Sequence, residues 1–157
     1  MTTAVTAERT VTITRLLDAP RDLVFRLWTD PAHMAQWWGP RGFTNPVCEL
    51  DVRVGGWIHI DMRAPDGTVY PMTGTFREIT PPRRLVFEVV AEDHDGNVHL
   101  RSLTTVTFAE EGNKTRLTVH ADAVGLSPLA PQMLAGMEAG WTQSLEKLGE
   151  LAARTSA

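Results

Sequence analysis

A single cysteine, Cys48, stands in a chain of 157 residues. One cysteine excludes an intrachain disulfide, and with no second thiol nearby it excludes a thiolate metal site. It suits a reducing compartment, so a cytoplasmic location is the expectation. Positive charge is short as well: 15 Lys and Arg against 19 Asp and Glu leave a net charge of −4, and only Arg83 and Arg84 are adjacent. Nucleic acid and anionic membrane both call for a basic surface, so neither is an expected partner. No stretch approaches the ~20 apolar residues of a membrane span, and Met1 to Thr10 lacks a basic segment followed by an apolar run. The expectation is therefore a chain without membrane insertion or a signal peptide.

Signatures of catalysis are equally sparse. The histidines His33, His59, His94, His99 and His120 form no HxH or HxxxH pair, so no metal is expected. Ser102, Ser127 and Ser144 sit in no G-x-S-x-G elbow. No phosphate-binding or dinucleotide fingerprint occurs, and no cofactor is expected. Asp93, Asp95 and Asn97 have the look of a calcium loop, but the glycine and the distant glutamate fall at the wrong positions. His99 is placed to meet Asp93 or Asp95 across a turn, as surface decoration. His59 alternates with Ile58 and Ile60 and should face solvent. Asp51 and Arg53 share a strand face, which suggests a structural ion pair tying that strand to its neighbours.

What the chain does have is regular patterning. Residues 1–8 are small and polar and read as a flexible start. Arg9 to Asp18 reads as a strand, with Val11 and Ile13 alternating with threonines. Asp18 and Pro20 then suit a helix cap and first turn, and Leu23, Val24, Leu27 and Trp28 recur at helical spacing. Asp30-Pro31 breaks that helix and opens a short second one through Met34, Trp37 and Trp38. From Phe43 to about His120 short β-rich runs alternate with turns. They cover 44–54, 57–63, 69–80, 85–92, 98–109 and 115–121, and Pro65-Asp66-Gly67 is the clearest hairpin signal. From Ser127 one helix of roughly 25 residues is expected, about 37 Å long, with Leu134, Met137, Trp141, Leu145 and Leu148 along one stripe. Residues 154–157 read as a flexible end. The order is one strand, two short helices, six strands and one long helix. That is an α+β fold: a curved seven-stranded antiparallel sheet wrapped on a long C-terminal helix.

A family likeness rests on scattered pieces in a fixed order. They are Ala19-Pro20 with Val24-Phe25 and Trp28, then Trp37-Trp38-Gly39-Pro40, then Asp51-Val52-Arg53-Val54-Gly55-Gly56. Pro65-Asp66-Gly67, Tyr70-Pro71, Gly74 and Pro81-Pro82-Arg83-Arg84-Leu85 follow, and Gly140-Trp141 with Ser144-Leu145 and Leu148 closes the set. Over residues 9–153 the chain resembles the SRPBCC superfamily of helix-grip proteins, which includes the START lipid-transfer domains and the birch-pollen allergen type. Within it the chain is similar to the branch named for the activator of the heat-shock protein 90 ATPase. The resemblance implies one helix-grip domain with an apolar cavity between sheet and long helix. It implies no single reaction, because one fold hosts many functions.

Alternation puts Ile60 and Met62 on one strand face, Met72 and Phe76 on another, and Phe87 on the next. Met133, Met137 and Trp141 come from the helix side, and Trp38 stands near the expected mouth. The plain reading of these residues is a core. The methionines Met62, Met72, Met133 and Met137 also suit a wall that adapts to varied shapes, and such a wall is an ordinary small-molecule site. Thr104, and Ser102 beside it, are the polar groups expected to face inward. Three functions follow as alternatives: a carrier or sensor for a small hydrophobic ligand, a cyclase- or hydrolase-type enzyme using the same cavity, and a co-chaperone stimulating a heat-shock ATPase. Eukaryotic activators of that kind carry an additional N-terminal domain, and too little chain precedes residue 9 to supply one. A homodimer pairing two sheets through apolar residues around Trp57 stays open.

Overall fold

The computed structural model describes residues 7–93 and 95–156. Strand β1 (Ala7–Leu17) leads to helices α1 (Arg21–Thr29) and α2 (Pro31–Trp37). Six strands follow: β2 (Thr44–Leu50), β3 (Trp57–Arg63), β4 (Val69–Thr80), β5 (Arg84–Glu92), β6 (Val98–Glu111) and β7 (Lys114–Gly125). Helices α3 (Ala130–Ala135) and α4 (Met137–Ser156) end the chain. The strands form one seven-stranded sheet in the order β1-β7-β6-β5-β4-β3-β2, antiparallel throughout. Neighbours in sequence are neighbours in space except at β1, which returns to pair with β7. This is the expected α+β helix-grip architecture.

Local chemistry explains most of the element ends. The Asp30 carboxylate accepts the Ala32 N–H at 2.9 Å, so α2 starts on a side-chain cap with Pro31 in its first turn. Helix α1 differs from the expectation: Asp18 makes no cap, and Pro20 occupies the cap position with no side-chain bond. Its ring fixes φ at −68°, and its extended ψ of 152° is what turns the chain into the helix. The β2 run ends at Leu50 rather than at residue 54. The Arg53 N–H bonds Asp51 O at 2.8 Å and the Gly56 N–H bonds Arg53 O at 2.8 Å, which coils residues 51–56 into a turn. A Cβ on Gly56 would lie 1.9 Å from Asp51 O, so that turn admits only glycine there. The Asp51–Arg53 ion pair, at 2.7 Å, therefore belongs to this turn and ties no strands together. Pro46 falls within β2 because β2 is an edge strand with a bulge between Thr44 and Val47.

Three further boundaries depart from the sequence reading. Strand β7 runs on to Gly125, since it is paired on both sides by β1 and β6 over its whole length. Strand β6 likewise extends to Glu111, opposite Lys114. The C-terminal helix is two pieces, interrupted at Gly136, which closes α3 in a turn conformation. Helix α4 then has 20 residues, about 30 Å at 1.5 Å per residue. It continues to Ser156, so residues 154–156 are helical. Of the start expected to be flexible, residues 1–6 lie outside the described residues, and β1 begins at Ala7.

The inward face of the sheet carries the core. Val11, Ile13 and Leu17 of β1, Leu117, Val119, Ala121 and Ala123 of β7, and Val106 and Phe108 of β6 are all buried. Helix α4 packs over β1 and touches α1, α2 and α3. Gly149 lets it come close to Leu17, where a Cβ would lie 3.4 Å from Leu17 Cδ2. The far half of the sheet is covered differently. Helix α2 lies against β2 and α1 against β6 and β7, and the side chains of Trp28, Met34, Trp37 and Trp38 are buried between them and the sheet. A single long helix covering the whole sheet is thus replaced by α4 over β1 and by side chains of α1, α2 and the residue after α2 over β2 to β5.

Candidate functional site

The α1–α2 side carries a dense aromatic cluster. The Trp28 ring lies 4.5 Å from that of Trp37, 6.5 Å from Trp38 and 6.3 Å from Trp141. It also packs over Phe87 at 6.3 Å and Phe108 at 6.2 Å. Each such pair adds about 0.5–1.5 kcal/mol beyond the area it buries. The Trp37 indole N–H donates to Leu27 O at 2.9 Å, which locks that ring into the core. Trp38 instead stands at the exit of α2, on a loop that runs to Gly42.

Beneath this cluster a void of about 10 Å³ remains. Leu50, Ile58, Ile60, Met72, Phe76, Leu85, Phe87 and Val89 form its floor, from β2 to β5, and Trp28, Met34 and Trp38 form its roof. Every lining residue is apolar, and the space is about that of one water molecule. Of the residues expected from sequence, Trp38, Ile60, Met72, Phe76 and Phe87 come together on this wall. Met62, Met137 and Trp141 are half-buried and pack against the core without lining the void. Met133 is half-buried on α3. Thr104 is fully buried, one strand beyond Phe87. No residue of α4 lines the void. The roof residues Trp28 and Met34 were legible as the apolar stripes of two short helices, but periodicity does not say what such a stripe covers.

Four buried side-chain polar atoms have no partner among the described residues: Trp28 Nε1, Thr104 Oγ1, His33 Nδ1 on α2 and Asn45 Oδ1 on β2. The other fully or nearly buried hydroxyls are satisfied. Thr115 Oγ1 donates to Ala19 O at 2.8 Å and Ser144 Oγ to Gly140 O at 2.9 Å.

The loop at the mouth is fastened to α4. Arg41 pairs with Glu150 and, at 3.7 Å, with Glu146. The Arg41 N–H donates to Gln143 Oε1 at 3.1 Å, and Lys147 Nζ donates to Pro40 O at 3.3 Å. Burial, and after it the charge of Arg41, holds the Lys147 ammonium below its ordinary pKa. Gly39 and Gly42 bracket this segment with φ of +89° each, a left-handed conformation that favours glycine.

A second constellation lies at the β5–β6 turn, beside an open cleft of about 630 Å³. His99 Nδ1 is 2.6 Å from Ser127 Oγ, and His99 Nε2 is 3.1 Å from Asp93 Oδ2. The Asp93 carboxylate also accepts the N–H groups of Asp95 and Asn97 and the Asn97 side-chain amide. The Asn97 N–H foremost pushes it down to about 2. The chain order and contacts resemble a relay, but the surroundings, among the described residues, do not complete one. An acyl-transfer site needs N–H donors converging beside the hydroxyl. Here the Asp95 and Asn97 N–H groups are engaged by Asp93, the Ala130 N–H by Ser127 O, and the Leu129 N–H by Ser127 Oγ itself. The three side chains clamp the β5–β6 turn to the loop entering α3. His94, in the same turn, lies outside the described residues. His59 is 43% exposed and meets Asp61 at 3.0 Å, in keeping with a solvent-facing position. Among the described residues no group of three or more His, Cys, Asp or Glu could hold a metal ion, and no helix is long and apolar enough to cross a membrane.

A curved antiparallel sheet gripping a terminal helix, with an apolar interior and a glycine-flanked mouth, defines a helix-grip protein of the SRPBCC kind. Within that class, the chain belongs to the family described as Activator of Hsp90 ATPase homolog 1-like protein, which matches residues 18–153. It is similar to a solved protein of Rhizobium leguminosarum at 26% identity and a TM-score of 0.82, over 94% of this chain and 96% of that one. A protein of Chromobacterium violaceum is 28% identical with a TM-score of 0.76, over 92% and 97%. The solution structure of a protein of Arthrobacter aurescens is 26% identical with a TM-score of 0.79, over 96% and 93%. No curated protein matches the chain.

Proposed function

We propose that this protein binds a small, largely apolar molecule between the β2–β5 half of the sheet and the α1–α2 cover, as a carrier or sensor. The observation that carries this reading is the wall of the void. It is wholly apolar, it is unfilled at its centre, and one of its roof residues, Trp38, hangs on the glycine-flanked loop at the mouth. A void of about 10 Å³ admits no ligand as it stands. Entry requires Trp38 to swing outward with residues 39–42, and the half-buried Met62 and Met137 supply an adaptable rim. The wall has no titratable residue, so an enzyme of the cyclase or hydrolase kind would have to bring its acid and base from elsewhere.

The test is a thermal-shift screen against fatty acids, sterols, flavonoids and polyketide-like aromatics. A ligand at a hundredfold excess over Kd adds about 2.7 kcal/mol of stability. For a chain of this size that is a rise of roughly 5–10 °C in the unfolding midpoint. Ile60→Trp, which fills the void, is expected to abolish the rise. A screen in which no class shifts the midpoint overturns the reading. The family's description would then direct attention to a heat-shock ATPase, whose saturable stimulation by this protein is a separate assay.

A further inference from the structure

Two unpartnered hydrogen-bond donors, one on a residue of the wall and one a strand beyond it, bear on which apolar molecules fit. Trp28 Nε1 and Thr104 Oγ1 are buried without a hydrogen-bond partner, as are His33 Nδ1 and Asn45 Oδ1 on the α2 side. The Trp28 and Thr104 groups belong to one neighbourhood. Thr104 is the direct cross-strand partner of Phe87, and the Trp28 ring packs over both Phe87 and Phe108, the latter on the same inward face of β6 as Thr104. An unsatisfied buried N–H or O–H destabilises the native state, and folded proteins carry few of them. Both groups can donate, and neither carries charge. Among the described residues the buried polar side chains are Thr104, Thr115 and Ser144, and no Lys, Arg or His lines the void to pair with an anion. An ionised carboxylate or phosphate brought into this space would lie unpaired, which is strongly unfavourable.

We infer that the ligand is a neutral apolar molecule bearing a hydrogen-bond acceptor of the ketone, ester or ether type, whose oxygen is held by Trp28 Nε1–H and Thr104 Oγ1–H. The inference rests on the pocket reading above and sharpens it: it separates oxygenated neutral ligands from plain hydrocarbons and from acids. It also assigns the two unpartnered groups a role that a purely structural core would not need. Ligand binding satisfies them, so the free protein is less stable than its own packing allows.

Three probes on one carbon skeleton test this: tetralin, 1-tetralone and tetralin-1-carboxylate, titrated against the intact chain by calorimetry. The expected result is 1-tetralone binding at least about tenfold more tightly than tetralin, one hydrogen bond being worth about that factor, with the carboxylate weakest. Thr104→Val keeps the shape and removes the hydroxyl. It is expected to bring 1-tetralone towards tetralin while raising the midpoint of the free protein by about 2–4 °C. Trp28→Phe is a second variant with the same expected loss of discrimination, and Thr104→Val carries the test if Trp28→Phe fails to fold. Equal binding of tetralin and 1-tetralone, or a ratio unchanged by Thr104→Val, overturns the inference and leaves the pocket reading standing. Tightest binding by the carboxylate also overturns it. Binding of none of the three, in a protein whose broader screen is silent too, removes the pocket reading and the inference with it.

Discussion

The two halves of the sheet bury their inward faces by different means. Over β6, β7 and β1 most of the residues are small or aliphatic, as in Val11, Val106, Leu117, Val119 and Ala121, with Phe108 the one large ring, and α4 lies close above β1. Over β2 to β5 the floor is Ile58, Ile60, Met72, Phe76 and Phe87, and its cover is a set of indoles on two short helices. The void belongs wholly to this second half. A straight helix laid on small side chains fills its groove. Large flat rings of Trp28, Trp37 and Trp38 meet at angles of 60–86° in the Trp28 pairs with the other two, and they leave a gap beneath them. One half closes on aliphatic side chains, and the other on rings that leave a space.

The largest test of this contrast is a pair of truncations. Leu117→Ala, in the close-packed half, is expected to cost about 3–5 kcal/mol in chemical denaturation, because nothing there can collapse into the space. Met72→Ala, on the wall of the void, is expected to cost about 2–3 kcal/mol and to enlarge the pocket, so that ligands of the screen bind more tightly. Equal costs would erase the distinction between the halves. Next in size is Thr115→Val, which removes the 2.8 Å bond that ties β7 to the entrance of α1 at Ala19 and leaves that buried carbonyl without its donor. A loss of about 1–2 kcal/mol is expected. Arg41→Ala should cost little stability in chemical denaturation, since the ion pairs it removes are exposed. It should nonetheless speed ligand entry in stopped-flow mixing, and high salt should reproduce the effect in the unmodified chain.

The smallest effect concerns the clamp at the β5–β6 turn. Asp93 sits near 2 against an ordinary value of 3.8. Its folded-state pKa is depressed, so the stability it confers is present above about pH 4 and lost as the pH falls towards 2. Asp93→Asn should therefore melt below the unmodified chain at pH 7, and the gap should close over that window. A gap that persists below pH 2 would show that the asparagine disturbs the turn in some other way.

Much of this contrast was legible in the sequence, and one part of it was not. Alternation located the inward residues of β3, β4 and β5 correctly, because a pleated strand with one buried face has only one register that hides its apolar side. The ends of β7 were harder. Ala121, Ala123 and Gly125 are weak strand formers by themselves, and it is pairing on both sides that holds them. The helix break at Gly136 was hidden by an apolar stripe that continues across it from Leu134 to Met137. For the site, Ile60, Met72, Phe76, Phe87 and Trp38 were recognisable as wall candidates. The roof was not, since the spacing of Leu23, Val24, Leu27 and Trp28 shows an amphipathic helix without showing where on the sheet it docks. Thr104 was expected to face inward, but that its hydroxyl would find no partner there is a property of three dimensions.

The clustering of the indoles has an optical consequence. Of five tryptophans, Trp28, Trp37, Trp38 and Trp141 form one contact network, while Trp57 on β3 is 50% exposed. Rings this close share excitation energy, and three of the four, Trp28, Trp37 and Trp38, are buried, so the network emits to the blue of an exposed indole. Trp57 emits separately, towards the red. The chain thus carries a two-colour readout of its own interior, in which the blue component follows the pocket and the red one serves as an internal reference.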